Sequence, residues 1–241
     1  MLEKFKEYVD SFEKEDAIKY KYNHSLRVMD LSIDIAKSLK LNEEDLKLVK
    51  LIGLLHDIGR FKQWNIYKSF SDSSIDHGDL GVEILFEEKE IEKYDLDKKY
   101  YQIVKDAIKY HNKYEIGSVT NSLFCKIIRD ADKLDIIKEF DKSLFRGINE
   151  NYIHPEVKES FYNHQQVKKI KDSTNLDKLI IKLALIYDLN FDYSYRYYKD
   201  NNYIDLFYSK LKNKDIFSEY IEIANGYIEG KCKDVRTKIY S

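Results

Sequence analysis

Eight glycines and one proline are all that punctuate 241 residues, against a usual combined share of about 12%. A chain with so few turn residues cannot make the repeated reversals of a β-sandwich or small barrel, nor a Gly-rich linker or Pro-rich tail. What it can do is run in long helices. Charged residues at 35% beside 43% apolar residues suit amphipathic helices with solvated outer faces, and this length buries a full core as one large domain. Lys and Arg number 41 against 43 Asp and Glu, so no general polyanion-binding surface is expected and duplex nucleic acid is not a partner. The two cysteines, Cys125 and Cys232, are too few for a disulfide scaffold and point to a reducing, cytoplasmic setting. The charge-interrupted start (MLEKFKEYVDSFEKED) is neither a signal peptide nor a membrane span, so no membrane partner is expected.

The apolar period is helical nearly everywhere. Leu26, Met29, Ile33, Ala36 and Leu39 recur at three- and four-residue spacing and predict a helix over 23–39. Asn42 caps the next, with Glu43, Glu44 and Asp45 in its first turn, where the helix dipole favours negative charge. That helix becomes apolar on most faces (LVKLIGLLHDI), which marks the centre of a domain, and Gly59 reads as its C-terminal cap. Residues 60–76 show no sustained period and read as a loop. Asp76 caps a helix beginning HGDLGVEILFEE, with Asp79 at its third position. Further helices are expected over 97–111 and 123–140, and near 155–170, 175–188 and 200–229. The Tyr-rich stretch 187–198 leaves a β-hairpin open. With no repeat or linker in view, the expected organisation is a single all-α domain over 1–241, its core at about 20–140 and a helical extension over 141–241.

Within this helical text, His24, His56-Asp57, His77, His111 and Asp132 stand out as polar groups within or at the ends of apolar helices. An ionisable pair at the end of LLHDIG, buried without a partner, would cost several kcal/mol. A divalent metal compensates both members, and imidazole with carboxylate suits zinc, iron, manganese, nickel or cobalt. Each residue has a plainer reading when taken alone. His24 suits a first helical turn, His77 a helix start, and His111 a satisfied core histidine. Asp132 follows Ile128 by four residues and so points inward, with Arg129 or Lys133 as alternative partners. Taken together, they are the pattern by which helical bundles build metal sites from separate helices. His154 and His164 lack such a setting and read as surface. Cations near the presumed site are Arg27, Arg60, Lys62 and Lys133, any of which suits phosphate oxygens, arginine in bidentate fashion.

The ordered set NHSLRV (23–28), LLHDIGR (54–60), DHGDLGVEIL (76–85), IKYHN (108–112) and IRDADKLD (128–135) resembles the HD superfamily of metal-dependent phosphohydrolases. The resemblance spans about residues 20–140 and implies an all-α bundle. It implies that His24, His56, Asp57 and Asp132 ligate a first metal, and that His77 and His111 are the extra histidines of two-metal members, with Asp57 bridging. Arg60 and Lys133 beside Asp57 fill the catalytic roles, and Arg27, Arg60, Lys62 and Asn112 are the expected substrate contacts. Asn112 stands where the cyclic di-GMP phosphodiesterase branch carries a second histidine before a GYP motif, which speaks against that substrate. The expected activity is hydrolysis of a phosphoester or phosphoanhydride in a small, nucleotide-like molecule, with one or two divalent ions. The same ligand types also resemble a branch of di-iron oxygenases acting on a small polyol or phosphonate, and a nucleotide sensor without turnover is the non-enzymatic alternative.

Overall fold

The computed structural model describes residues 1–119, 122–138, 152–168, 170–211 and 214–239, the side chains of 234–239 excepted. Among them the fold is all-α, without a strand. The chain groups into two compact units, Met1–Asp132 and Lys133–Ser241. No helix among the described residues is long and apolar enough to cross a membrane.

The first unit runs α1 (Leu2–Asp10), α2 (Asp16–Ser38), α3 (Glu43–Leu55), α4 (Ile58–Tyr67), α5 (His77–Val82), α6 (Tyr101–Tyr110) and the start of α7 (Ser122–Lys138). Its centre is α3, where Leu48, Val49, Leu51, Ile52, Gly53, Leu54 and Leu55 are all buried. Asn42 caps it by accepting from the Asp45 amide, as expected. Around it, α2 and α6 pack on α3, α2 also meets α4, and α5 fills the space between α4 and α6. The α2–α3 crossing is close: a Cβ on Gly53 would lie 2.8 Å from the Met29 Cα. Asp76 caps α5 through the Gly78 and Asp79 amides, and α5 continues into a π turn over Glu83–Glu87.

Where the sequence reads a loop from residue 60, α4 instead runs to Tyr67, with Ile58, Phe61 and Gln63 buried. The period is masked because Gln63, a polar residue, faces inward and donates to the carbonyls of Ser71 and Ile75. Gly59 is not a cap. The helix breaks three residues earlier, and Gly59 lies in the first turn of α4, where a Cβ would come within 2.2 Å of the His77 carbonyl and 2.8 Å of the Gly81 amide. Only glycine lets α4 and α5 approach so closely.

The second unit comprises α8 (Pro155–Tyr162), α9 (Asn175–Leu183) running into a 3-10 turn over Ala184–Asp188, α10 (Asp192–Asp200), α11 (Tyr203–Lys210) and α12 (Lys214–Ile239). The stretch that left a hairpin open is helical. Ser194, Tyr195 and Tyr198 are buried at helical spacing, and the rings of Tyr198 and Tyr203 meet edge to face at 5.6 Å. His164 is exposed, as expected. His154 is half-buried and its Nδ1 lies 2.6 Å from the buried carboxylate of Asp177.

Candidate metal centre

The centre is assembled where α3 ends and α4 begins. His56 keeps helical dihedrals (φ −53°, ψ −38°), and Asp57 leaves them (φ −103°, ψ 19°), so the chain bends between two adjacent acidic and basic ligands. Neighbours on an unbroken helix point about 100° apart; the bend brings these two side chains to one place. His24 arrives from the buried face of α2, His77 from the first residue of α5, His111 from the C-terminal end of α6, and Asp132 from α7.

Asp57 lies between two histidine pairs. Its Oδ2 is 3.4 Å from Nε2 of His24 and 3.6 Å from Nε2 of His56. The other oxygen, Oδ1, is 3.2 Å from Nε2 of His77 and 3.5 Å from Nε2 of His111. Asp132 Oδ1 joins the first pair, 3.1 Å from His24 and 3.7 Å from His56. The two pairs are themselves tight, with Nε2 atoms 3.3 Å apart for His24–His56 and 2.9 Å for His77–His111. Thus His24, His56 and Asp57 form one buried trio able to hold an ion, and Asp57, His77 and His111 form another.

The rings are aimed by their other nitrogens. His56 Nδ1 donates to the Gly53 carbonyl at 2.8 Å and His111 Nδ1 to the Ile108 carbonyl at 2.7 Å, which leaves each Nε2 lone pair facing Asp57. His77 Nδ1 meets Asp72 Oδ1 at 2.7 Å. Arg129 donates to the carbonyls of Tyr110 (3.0 Å) and His111 (3.3 Å), tying down the end of α6. Burial would raise the Asp57 carboxyl, but the Lys21 ammonium, foremost among the opposing influences, and the imidazoles around it outweigh burial and hold the group well below the usual carboxylate range. Burial pushes His111 down to about 4, which favours its neutral imidazole. Burial also opposes charge on His77, yet hydrogen bonds to Asp57 and Asp72 prevail and raise it. Buried nitrogen donors converging on shared carboxylates are a donor set for a borderline divalent cation, so the residues present fit the expected metal.

The structure places the other singled-out residues as follows. Arg60 Nη1 donates to Asp72 (2.9 Å), the Phe70 carbonyl (2.6 Å) and Gln63 (2.8 Å), while its Nε is 3.7 Å from Asp57 Oδ1. Asn112 Nδ2 donates to Asp76 at 3.0 Å and lies 3.2 Å from His77 Nδ1. Lys62 pairs with Glu88 and with Glu83. Arg27 is half-buried on α2, one turn beyond His24. Lys133 belongs to the second unit, where its ammonium pairs with Asp188 at 2.6 Å. Sequence reasoning missed Lys21, whose Nζ is 2.6 Å from Asp57 Oδ2, and Asp72, which joins His77 to Arg60. Both lie in polar text where a charge carries no signal; the exception is that Lys21 falls three residues before His24, one helical turn away.

Comparison with known proteins agrees with this geometry. The family model described as HD domain matches residues 22–137. An uncharacterised protein of Methanocaldococcus jannaschii, MJ0778, is 29% identical over 164 residues, covering 61% of this chain and 87% of its own length. No solved structure matches the chain.

Proposed function

Residues 22–137 are an HD domain, and from that premise we propose that this chain is a metal-dependent phosphohydrolase acting on a phosphoester or phosphoanhydride of a small, nucleotide-like substrate. The observation that carries the reading is the sharing of Asp57: one carboxylate, buried and ionised, with a histidine pair on each oxygen. A structural salt bridge has no use for four imidazoles on one carboxylate, whereas adjacent ions acting on one phosphoryl group do.

In this reading His24, His56, Asp57 and Asp132 hold one ion, and Asp57, His77 and His111 hold a second. When bound, the divalent metal supplies Lewis acidity and an acidified water molecule. The chain's own contributions are orientation and charge. The carbonyls of Gly53 and Ile108 fix the tautomers of His56 and His111, and Asp72 fixes that of His77. Arg60, held by Asp72 and the Phe70 carbonyl, presents its positively charged guanidinium beside Asp57. That fixed positive charge favours the anionic transition state of phosphoryl transfer over the substrate alone. A protein nucleophile is not required, and Cys125 is unsuited to the role, since burial pushes its thiol up to about 11.

The test is a panel of phosphomonoesters, phosphodiesters and nucleoside triphosphates with protein reconstituted in manganese, cobalt or nickel. Phosphate or pyrophosphate release is expected from at least one class. In Asp57→Ala, turnover falls at least about 1,000-fold and both ions are lost while far-UV helicity persists. Full turnover by that variant refutes the metallohydrolase reading. Oxygen consumption by the iron-loaded protein, with no phosphate release from any substrate, replaces it with the oxygenase chemistry that the same donor trios accommodate.

A further inference from the structure

We propose that Lys21 is an exchangeable counter-ion: its ammonium neutralises Asp57 while the first metal position is vacant, and on metal binding it transfers to the anionic oxygens of the substrate. This inference rests on the metallohydrolase reading and adds a residue to it.

The argument begins with the electrostatics of Asp57 Oδ2. Two imidazole Nε2 atoms face that oxygen at 3.4 and 3.6 Å. Because His56 donates through Nδ1 to the Gly53 carbonyl, its Nε2 presents a lone pair rather than a proton. A carboxylate oxygen beside a lone-pair nitrogen in a buried site repels unless a cation stands against it. Lys21 supplies that cation at 2.6 Å. Among the described residues it is the shortest contact to Asp57.

A divalent ion among His24, His56 and Asp57 does the same task better, since it also accepts the imidazole lone pairs, which an ammonium serves only through single protons. The two cations would then compete. Like charges a few ångströms apart repel strongly even in a partly screened site. The lysine is built to yield. Its charge is a point at the end of a flexible four-carbon stem, its side chain retains 13% exposure where Asp57 has 4%, and the Phe70 ring, 5.5 Å from Nζ, offers the ammonium a second resting place beside the carboxylate.

Other cations near the site are already committed. Arg60 is anchored by Asp72, Gln63 and the Phe70 carbonyl, and Lys62 is paired with Glu83 and Glu88. Lys21 instead sits 2.6 Å from a carboxylate that the metal itself would claim, where the Arg60 Nε stays 3.7 Å away. Once displaced, an ammonium at the edge of the site needs an anion, and the substrate's phosphate oxygens are the anion that arrives after the metal. Metal binding and substrate binding are thereby linked through one side chain.

The experiment is calorimetric and independent of turnover. Manganese is titrated into wild type, Lys21→Met and Lys21→Arg, and inorganic phosphate is then titrated into each manganese-saturated protein. Lys21→Met is expected to bind manganese at least about tenfold more tightly, because the competitor is gone, and phosphate about tenfold more weakly. Lys21→Arg keeps both affinities near wild type. If Lys21→Met melts early, Lys21→Gln, which is also uncharged, takes its place. Unchanged or weaker manganese binding in the neutral variant overturns the exchange, since the ammonium then merely supports Asp57. Unchanged phosphate affinity overturns its transfer to substrate. Failure of wild type to take up manganese or any other divalent ion is a different result; it removes the metallohydrolase reading and this inference with it.

Discussion

Asp57 turns one oxygen toward each histidine pair, so the two pairs can be removed one at a time. His77 and His111 contact Oδ1 and each other, whereas His24, His56 and Asp132 gather on the opposite side. The double variant His77→Ala/His111→Ala is therefore expected to drop from two ions to one per chain on reconstitution with manganese, iron or nickel. One ion in both proteins at saturating metal would instead make these histidines substrate contacts. That these six side chains converge was legible in the sequence because histidine and aspartate at the ends of apolar runs have to be compensated. Lys21 and Asp72 were not, for a physical reason. A charged residue in polar text looks the same whether it faces water or a carboxylate 2.6 Å away.

Among the elements, helix starts were easier to read than helix ends. Asn42 and Asp76 cap through amides two or three residues on, so the signal is wholly local. The break after Leu55 has no such signal. A helical stretch with glycine two residues beyond His-Asp invites a cap at the glycine, yet Gly59 is there because α5 approaches α4 at that point, a contact made across the fold. This gives a sharp test. Gly59→Ala puts a methyl group 2.2 Å from the His77 carbonyl, and backbone rather than a flexible side chain must give way. The expected cost is about 3 kcal/mol in stability. Because the displaced residue is His77, binding at the second ion position weakens as well. A variant as stable as wild type in chemical denaturation would show that α5 shifts freely. The loop read over 60–76 failed for a related reason: Gln63 is buried in order to hold the segment after α4, so the helix carries a polar residue on its inner face.

At the scale of the whole molecule, scarcity of glycine and proline correctly announced an all-α chain. It said nothing of how the contacts would group. The division between the two units falls inside α7, between Asp132 and Lys133, where no linker composition marks it. The second unit has its own polar keystone in Asp177. This buried carboxylate accepts from the amides of His154 (3.0 Å) and Thr174 (2.8 Å), meets His154 Nδ1, and completes a capping box at the start of α9. Burial would raise its pKa, but the amide and side-chain hydrogen bonds prevail and lower it. A depressed carboxyl stabilises the fold fully above its unfolded value of about 3.9 and loses that contribution as pH falls through the lower folded value. Asp177→Ala is thus expected to cost about 2–3 kcal/mol at pH 7, and the gap to wild type should narrow below about pH 4. Thermal melts at pH 7 and pH 3 check it; a gap that persists unchanged at pH 3 would mean that packing, not charge, accounts for the loss.

The bend at His56-Asp57 has a further consequence, for which changes of length this chain can tolerate. The bend sets the rotational phase between α3 and α4, much as a key sets one gear against another. A residue inserted or deleted there turns everything downstream by about 100°, swinging Gly59 away from the His77 carbonyl and Arg60 away from Asp72. In a gapless-length sense, the segment from His56 to Arg60 is the rigid ruler of the molecule, able to accept some changes of side chain but none of length.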